Sequence, residues 1–220
     1  MARNFLTKIL ANAGIQIPTG AGAGLFLQSD ASGNGSWAAP TVAAAGALKP
    51  AVSDYIAPVG TIGTGAPAVN AEVLTPVYLW AGTISQLAVE VTTAGAAGSL
   101  IRLGIRNGGT PSSRPGTLLI DAGTVAATTT GTKTITISQA IATTGWYWVS
   151  YTAQTAAPTV RTVLPQGDIV VPGPTFAAGL GVPSGWQNSA SVSGALPSAA
   201  PSVAATAVVP RVGALYSAVT

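Results

Sequence analysis

Short β-prone stretches recur along this chain with turn-forming residues between them, and this constrains its fold more than any other feature. Six such stretches lie between residues 73 and 154: Val73–Trp80, Ile84–Thr92, Leu100–Arg106, Thr117–Ala126, Lys133–Gln139 and Trp146–Gln154. A spacing of about twelve residues with glycine and proline in the separators indicates a sandwich or a barrel rather than alternating β and α units. Further strands are expected at Thr159–Leu164, Thr206–Val209 and Val212–Val219. We predict an all-β protein with an antiparallel, jelly-roll-like β-sandwich.

Alternation along the strands predicts which side chains face the core. In Lys133–Ser138 (KTITIS), Ile135 and Ile137 share one face and the hydroxyl side chains share the other, so one face of this strand is buried. Gly145–Tyr151 (GWYWVSY) carries large residues on both faces, which predicts a central strand covered on both sides. The aromatic residues predicted to lie in the core there are Trp146, Trp148 and Tyr151.

The chemistry available to the chain is narrow. Charged residues make up only 7% of it, and it contains neither cysteine nor histidine. Their absence removes disulfides and the usual catalytic triads, dyads and zinc ligands. Hydrolysis of a glycosidic bond needs two facing carboxylates, whereas the six acidic residues are isolated: Asp30, Asp54, Glu72, Glu90, Asp121 and Asp168. We interpret the acids as outward-facing solubilising groups and predict a protein that is not an enzyme, with no cofactor and no metal site.

Charge and proline distribution argue against nucleic-acid and membrane partners. Nine basic residues exceed six acidic ones by three charges and form no cluster, whereas phosphate binding needs several clustered cations. Residues 169–210 carry no charge, but their prolines would break a spanning helix. The first 18 residues lack the apolar run of a signal peptide. We expect no nucleic-acid binding and no membrane insertion.

Residues 1–50 differ from the rest and are predicted to be an extended attachment and oligomerisation segment. Leu25–Trp37 (LFLQSDASGNGSW) has the pattern of a β-hairpin, with a turn cluster between two short strands. Because an isolated two-stranded hairpin is marginal in water, we expect it to pair with sister chains. The side chains expected to make these contacts are Phe5, Leu25, Leu27 and Trp37. Residues 51–220 are predicted to form the sandwich.

Two stretches resemble a known group of proteins. Gln28–Trp37 (QSDASGNGSW) resembles a short hairpin of tail-fibre and minor structural proteins of tailed bacteriophages. Val89–Tyr151, with VEVTTAGAAGSLIRLGIRNGG, RPGTLLIDAGTV, TGTKTITIS and TGWYWVSY, is similar to a β-sandwich module of phage tail proteins. The resemblance implies a virion component of the tail or the head, a homotrimer that contacts other virion proteins. It also implies an N-terminal attachment part and a sandwich exposed to the host or to solvent.

A glycan on the host surface is a further partner to consider. Trp186, Gln187 and Asn188 lie in a turn-rich segment (PSGWQN), and an aromatic ring with amide neighbours suits a sugar. Arg114 lies in the turn-rich loop Asn107–Gly116, where recognition residues are often found. The alternatives are that Trp186 packs against a neighbouring subunit and that the loop is a solvated connection. Two functions therefore stay open, a structural virion protein and a lectin-like adhesin or decoration module without a fibre role.

Overall fold

The computed structural model describes residues 26–29, 35–38, 49–58, 60–109, 114–165 and 185–220. The chain divides into two compact units, Met1–Leu48 and Lys49–Thr220. In the first unit, β1 (Phe26–Ser29) pairs antiparallel with β2 (Gly35–Ala38), and Leu27 lies opposite Trp37. The hairpin predicted for this part of the sequence is therefore present.

The described part of the second unit consists of strands, turns and loops. Its strands are β3 (Tyr55–Ile56), β4 (Gly60–Gly65), β5 (Ala71–Leu79), β6 (Gly82–Thr93), β7 (Leu100–Gly108), β8 (Pro115–Ala126), β9 (Gly131–Ile141), β10 (Gly145–Gln154), β11 (Thr159–Pro165), β12 (Gly185–Ser191), β13 (Val203–Thr206) and β14 (Gly213–Val219).

Two antiparallel sheets pack together, which confirms the predicted all-β sandwich. The first sheet has the order β13-β12-β5-β10-β7-β8. In the second sheet, β9 pairs along one edge of β6, while β14 and then β11 pair along the other edge. Strand β3 continues from β14, and β4 continues from β11. Consecutive strands therefore mostly alternate between the two sheets.

The core lies between the sheets and is made of aliphatic side chains and tyrosines. Leu87, Ile101 and Leu103 are completely buried, as is the ring of Tyr151. Burial of one such aliphatic side chain stabilises the fold by about 1.5–3 kcal/mol. Alternation in β9 is as predicted, because Ile135 and Ile137 pack against this core while Thr134 and Thr136 are exposed.

Strand β10 occupies the predicted central position, between β5 and β7. Tyr151 packs into the core between the sheets, and Trp148 is buried on the opposite face of β10. The prediction for Trp146 is wrong, because its side chain stays 43% exposed. Trp146 lies at the start of β10, beyond the part of the outer face that later residues cover.

The sequence pattern missed the strands whose composition is atypical. Strand β12 (GWQNSAS) has few β-branched residues, and its conformation follows from pairing with β5 on one side and β13 on the other. Strand β13, at Val203–Thr206, lies earlier than the predicted Thr206–Val209. The short strands β3 and β4 were not predicted, because tertiary pairing rather than local propensity defines them.

Candidate functional site

The predicted attachment residues lie in the first unit. Phe5 and Leu25 fall outside the described residues, and Leu27 and Trp37 are opposite each other in the hairpin. Their role in oligomerisation stays a prediction.

The four residues considered for glycan contact lie close to β12, but the structure does not present them as a sugar platform. Trp186 is completely buried, with the Arg114 guanidinium carbon 4.2 Å from its ring centroid. Such stacking of a cation on an indole stabilises the pair and shields the ring. Asn188 is 4% exposed, while Arg114 and Gln187 are half-buried. With both Trp186 and Asn188 covered, this cluster packs the outer face of the first sheet.

Asn188 belongs to a buried polar network centred on Glu72. The Glu72 carboxylate accepts hydrogen bonds from Arg106 Nε at 2.7 Å and Arg106 Nη2 at 3.1 Å. Ser150 Oγ at 2.8 Å and Asn188 Nδ2 at 2.9 Å also donate hydrogen bonds to this carboxylate. Glu72 and Arg106 are both 0% exposed. The interpretation of Glu72 as an outward-facing solubilising group is therefore wrong.

The network is buried because residues 192–202, here called the C-terminal strap, cross the outer face of the first sheet. The strap carbonyls of Pro197 and Ala199 accept hydrogen bonds from Arg106 at 2.9 and 3.0 Å. The amide of Leu196 donates to Asp121 at 3.0 Å, and the amide of Leu118 donates to the Ser198 carbonyl at 3.0 Å. Arg106 thus pairs with a carboxylate and also anchors the strap.

Asp121 is the second acidic anchor of the strap. Burial would raise the pKa of its carboxyl, but hydrogen bonds from the Gly123 amide, Arg102 and the Leu196 amide outweigh burial and lower it. The Arg102 Nη1 donor lies 2.7 Å from Asp121 Oδ2. Both polar clusters on this face have internal partners, so we assign them to the structure of the sandwich rather than to a ligand.

A different part of the sandwich is open. A groove of about 400 Å³, here called the aromatic groove, lies between residues of β3 and the segment after it on one side and β5 with the start of β10 on the other. Tyr78 and Trp146 are cross-strand neighbours with ring centroids 5.4 Å apart, and Tyr78 and Trp80 have centroids 5.0 Å apart, both pairs edge to face. Tyr55, at 48% exposed, lines the opposite wall.

The walls of the aromatic groove are fixed by hydrogen bonds. Tyr216 Oη accepts from the Trp80 amide at 2.8 Å and donates to the Trp80 carbonyl at 3.0 Å. Burial raises the pKa of Tyr216 to about 12, so the phenol keeps its proton at neutral pH. Tyr55 Oη donates to the side-chain carbonyl of Gln86. These hydrogen bonds restrain Trp80 and Tyr55, which lie on opposite sides of the groove.

Arg211 brings a positive charge to the rim of the aromatic groove. Its side chain is exposed, and its Nε donates to the Pro58 carbonyl at 3.3 Å. Within the residues that the structure describes, Arg211 makes no ion pair.

A second groove of about 320 Å³, here called the ionic groove, adjoins the first and shares Tyr55, Ala57 and Arg211 with it. Its other wall carries Glu90 and Arg161, joined by two hydrogen bonds of 2.8 and 3.0 Å. The hydrogen bond from Arg161 lowers the pKa of the Glu90 carboxyl, and the nearby Arg211 charge also lowers it. The Glu90 carboxylate is thus already paired, and Arg211 supplies the net charge of this rim.

Sequence reasoning missed this site. Trp146 was assigned to the core, and Tyr55 and Arg211 carried no local signal because they are distant in sequence from β5 and β10. The only available hint was that Gly145–Tyr151 carries large side chains on both faces, more than one core needs.

No protein-family model matches the sequence, and a search of curated proteins finds no significant match either. In the part of the chain described here, no helix is long and apolar enough to cross a bilayer, and no three acidic side chains gather as metal ligands do.

Proposed function

We propose that the chain is a non-enzymatic structural protein of a tailed-phage particle, in its tail or head fibre, acting in assembly and in attachment to the host surface. The sandwich is the displayed domain, and residues 1–50 attach it to other virion proteins. The resemblance of Gln28–Trp37 and Val89–Tyr151 to phage fibre and tail proteins supports the particle assignment. The lack of histidine and cysteine supports a role without catalysis.

The strand order is the observation that carries this proposal. Strands β4 to β11 pair as β9-β6-β11-β4 in one sheet and β5-β10-β7-β8 in the other. This order matches two interlocked Greek keys, so we propose that the sandwich is a jelly roll, an architecture frequent in viral capsid proteins and lectins. Architecture alone does not define function, and the proposal therefore also uses the quoted sequence resemblance.

Particle incorporation tests the proposal. Phage particles are produced with the full chain or with a chain lacking residues 1–48, and purified particles are probed for the sandwich. We expect incorporation of the full chain and loss of incorporation for the shortened one. Absence of the full chain from purified particles would overturn the virion assignment.

We propose a homotrimer held by the first unit. Light scattering of the full chain and of a Leu27→Ser, Trp37→Ser variant measures the mass in solution. A trimer that dissociates in the variant supports the role of the hairpin, and a monomeric wild-type protein contradicts self-trimerisation.

A glycan-binding module without a fibre role is the second candidate, and the exposed aromatic groove favours it. The adhesin alternative differs from the first candidate in one outcome, because an adhesin would bind host cells but would not be part of the particle. Binding of the purified chain to host cells, with no chain in the purified particles, would favour this second candidate.

A further inference from the structure

We propose that the aromatic groove and the ionic groove form one continuous binding site for an acidic oligosaccharide. This inference rests on the proposed attachment function, because it names the surface chemistry to which the sandwich attaches. Its residues differ from those that the sequence suggested for glycan contact.

The aromatic groove has the surface that a pyranose ring needs. A sugar ring has an apolar face of C–H groups and a polar rim of hydroxyls, so it matches an open aromatic face bordered by polar groups. Trp146 is 43% exposed in this groove, and its edge-to-face packing against Tyr78 restrains the ring. The groove volume of about 400 Å³ falls within the usual range for small-ligand sites.

The two grooves are neighbours on the surface, because Tyr55, Ala57 and Arg211 line both of them. A ligand that occupies both grooves at once must be longer than one sugar. The proposed ligand is therefore an oligomer, with one ring on Trp146 and a further sugar in the ionic groove.

The charge of the site indicates an acidic ligand. No carboxylate lines the described part of the aromatic groove, and the Glu90 carboxylate of the ionic groove is paired with Arg161. Arg211 lines both grooves, and its Nη groups make no hydrogen bond within the described residues. A guanidinium with open donors suits a carboxylate, which it binds with two parallel hydrogen bonds.

Defined oligosaccharides test the site in the full chain. The probes are hexamers of galacturonate (α-linked) and mannuronate (β-linked), each with a carboxyl-reduced neutral counterpart. Calorimetry and tryptophan fluorescence measure binding. We expect at least one acidic hexamer to bind with a Kd of about 1 mM or tighter, and its neutral counterpart to bind about tenfold more weakly.

Three variants locate the binding, and two more serve as controls. Trp146→Ala is expected to weaken binding of both the acidic and the neutral hexamer at least about tenfold. Arg211→Gln is expected to remove the preference for the acidic hexamer, and Arg211→Lys to restore part of it. Ile62→Ala and Lys49→Gln are matched controls, because both residues are exposed and line neither groove. Circular dichroism verifies that each variant folds.

The outcomes separate this inference from the proposed function. Failure of both acidic hexamers to bind, or equal binding of acid and neutral forms, overturns the acidic-oligosaccharide site even if particles contain the chain. Binding by a chain that is absent from particles supports the site and overturns the virion role. If Trp146→Ala instead lowers the mass of an oligomer, a second copy covers the groove and the inference is wrong.

Discussion

Replacement of Glu72 by glutamine is expected to destabilise the sandwich severely. The substitution keeps the shape of the side chain but removes the charge that balances Arg106, and both side chains are completely buried. In the wild-type protein, Arg106 Nη2 and Asn188 Nδ2 donate to Glu72 Oε2 at 3.1 and 2.9 Å. An amide NH2 group in place of this oxygen would point its own donors at these two donors. A buried charge that loses its partner costs about 3–5 kcal/mol. That loss is a large fraction of the 5–15 kcal/mol that holds a typical domain folded.

Urea unfolding followed by tryptophan fluorescence measures the effect at neutral pH, provided the denaturant slope stays unchanged. Glu90→Gln is the matched control, because Glu90 also forms a two-bond pair with an arginine but lies in solvent, with 44% of its side chain exposed. Exposed pairs contribute little to stability, so this control should unfold at nearly the wild-type urea concentration.

A double variant sharpens the test. Glu72→Gln combined with Arg106→Met removes both charges, so no unpaired ion stays buried. The double variant should lose much less free energy of unfolding than the sum of the losses in the two single variants, because the two residues act as one pair. The reasoning is refuted if Glu72→Gln is as mild as Glu90→Gln, or if the two single losses simply add.

Three further predictions concern the strap and the groove wall. Asp121→Asn should remove stability at neutral pH. The native pKa of Asp121 lies below the unfolded value of 3.8, so its contribution is present above about pH 4, and wild type and variant should converge in urea titrations as the pH falls below that value. Gly104→Ala places a Cβ against Leu196 of the strap and should cost about 1–3 kcal/mol by overpacking, measured by thermal unfolding. A wild-type melting temperature would contradict it. Tyr216→Phe removes both hydrogen bonds to Trp80 and should cost about 1–3 kcal/mol and change the tryptophan emission, whereas an unchanged spectrum would show that the groove wall is held by packing alone.

Strands β5 to β11 and β14 could be predicted from the sequence, because side-chain alternation is a local property. KTITIS in β9 has its isoleucines on one face whatever lies beside it, and the structure agrees. The segment AEVLTPVYL of β5 shows the limit of this reasoning. Its alternation places Glu72 on the outer face, but whether that face meets solvent depends on residues more than a hundred positions later.

The candidate site could not be predicted for the same reason. Tyr55, Trp146 and Arg211 come from three distant segments, and only the pairing of β3 with β14 and of β5 with β10 brings them together. Trp186 and Asn188 show the opposite error. Their turn-rich surroundings suggested exposure, whereas stacking by Arg114 and hydrogen bonding to Glu72 bury them.

The strand pairing also determines when the protein can fold during its synthesis. Ile62 of β4 pairs with Val163 of β11, and Leu87 of β6 pairs with Ala214 of β14. A nascent chain therefore cannot pair β4, or complete the pairing of β6, until β11 and β14 have left the ribosome. Contacts this distant in sequence make folding slow, and the apolar strand faces stay open to other chains in the meantime. With only 7% charged residues to keep it in solution, the newly made chain is most exposed to aggregation in this interval.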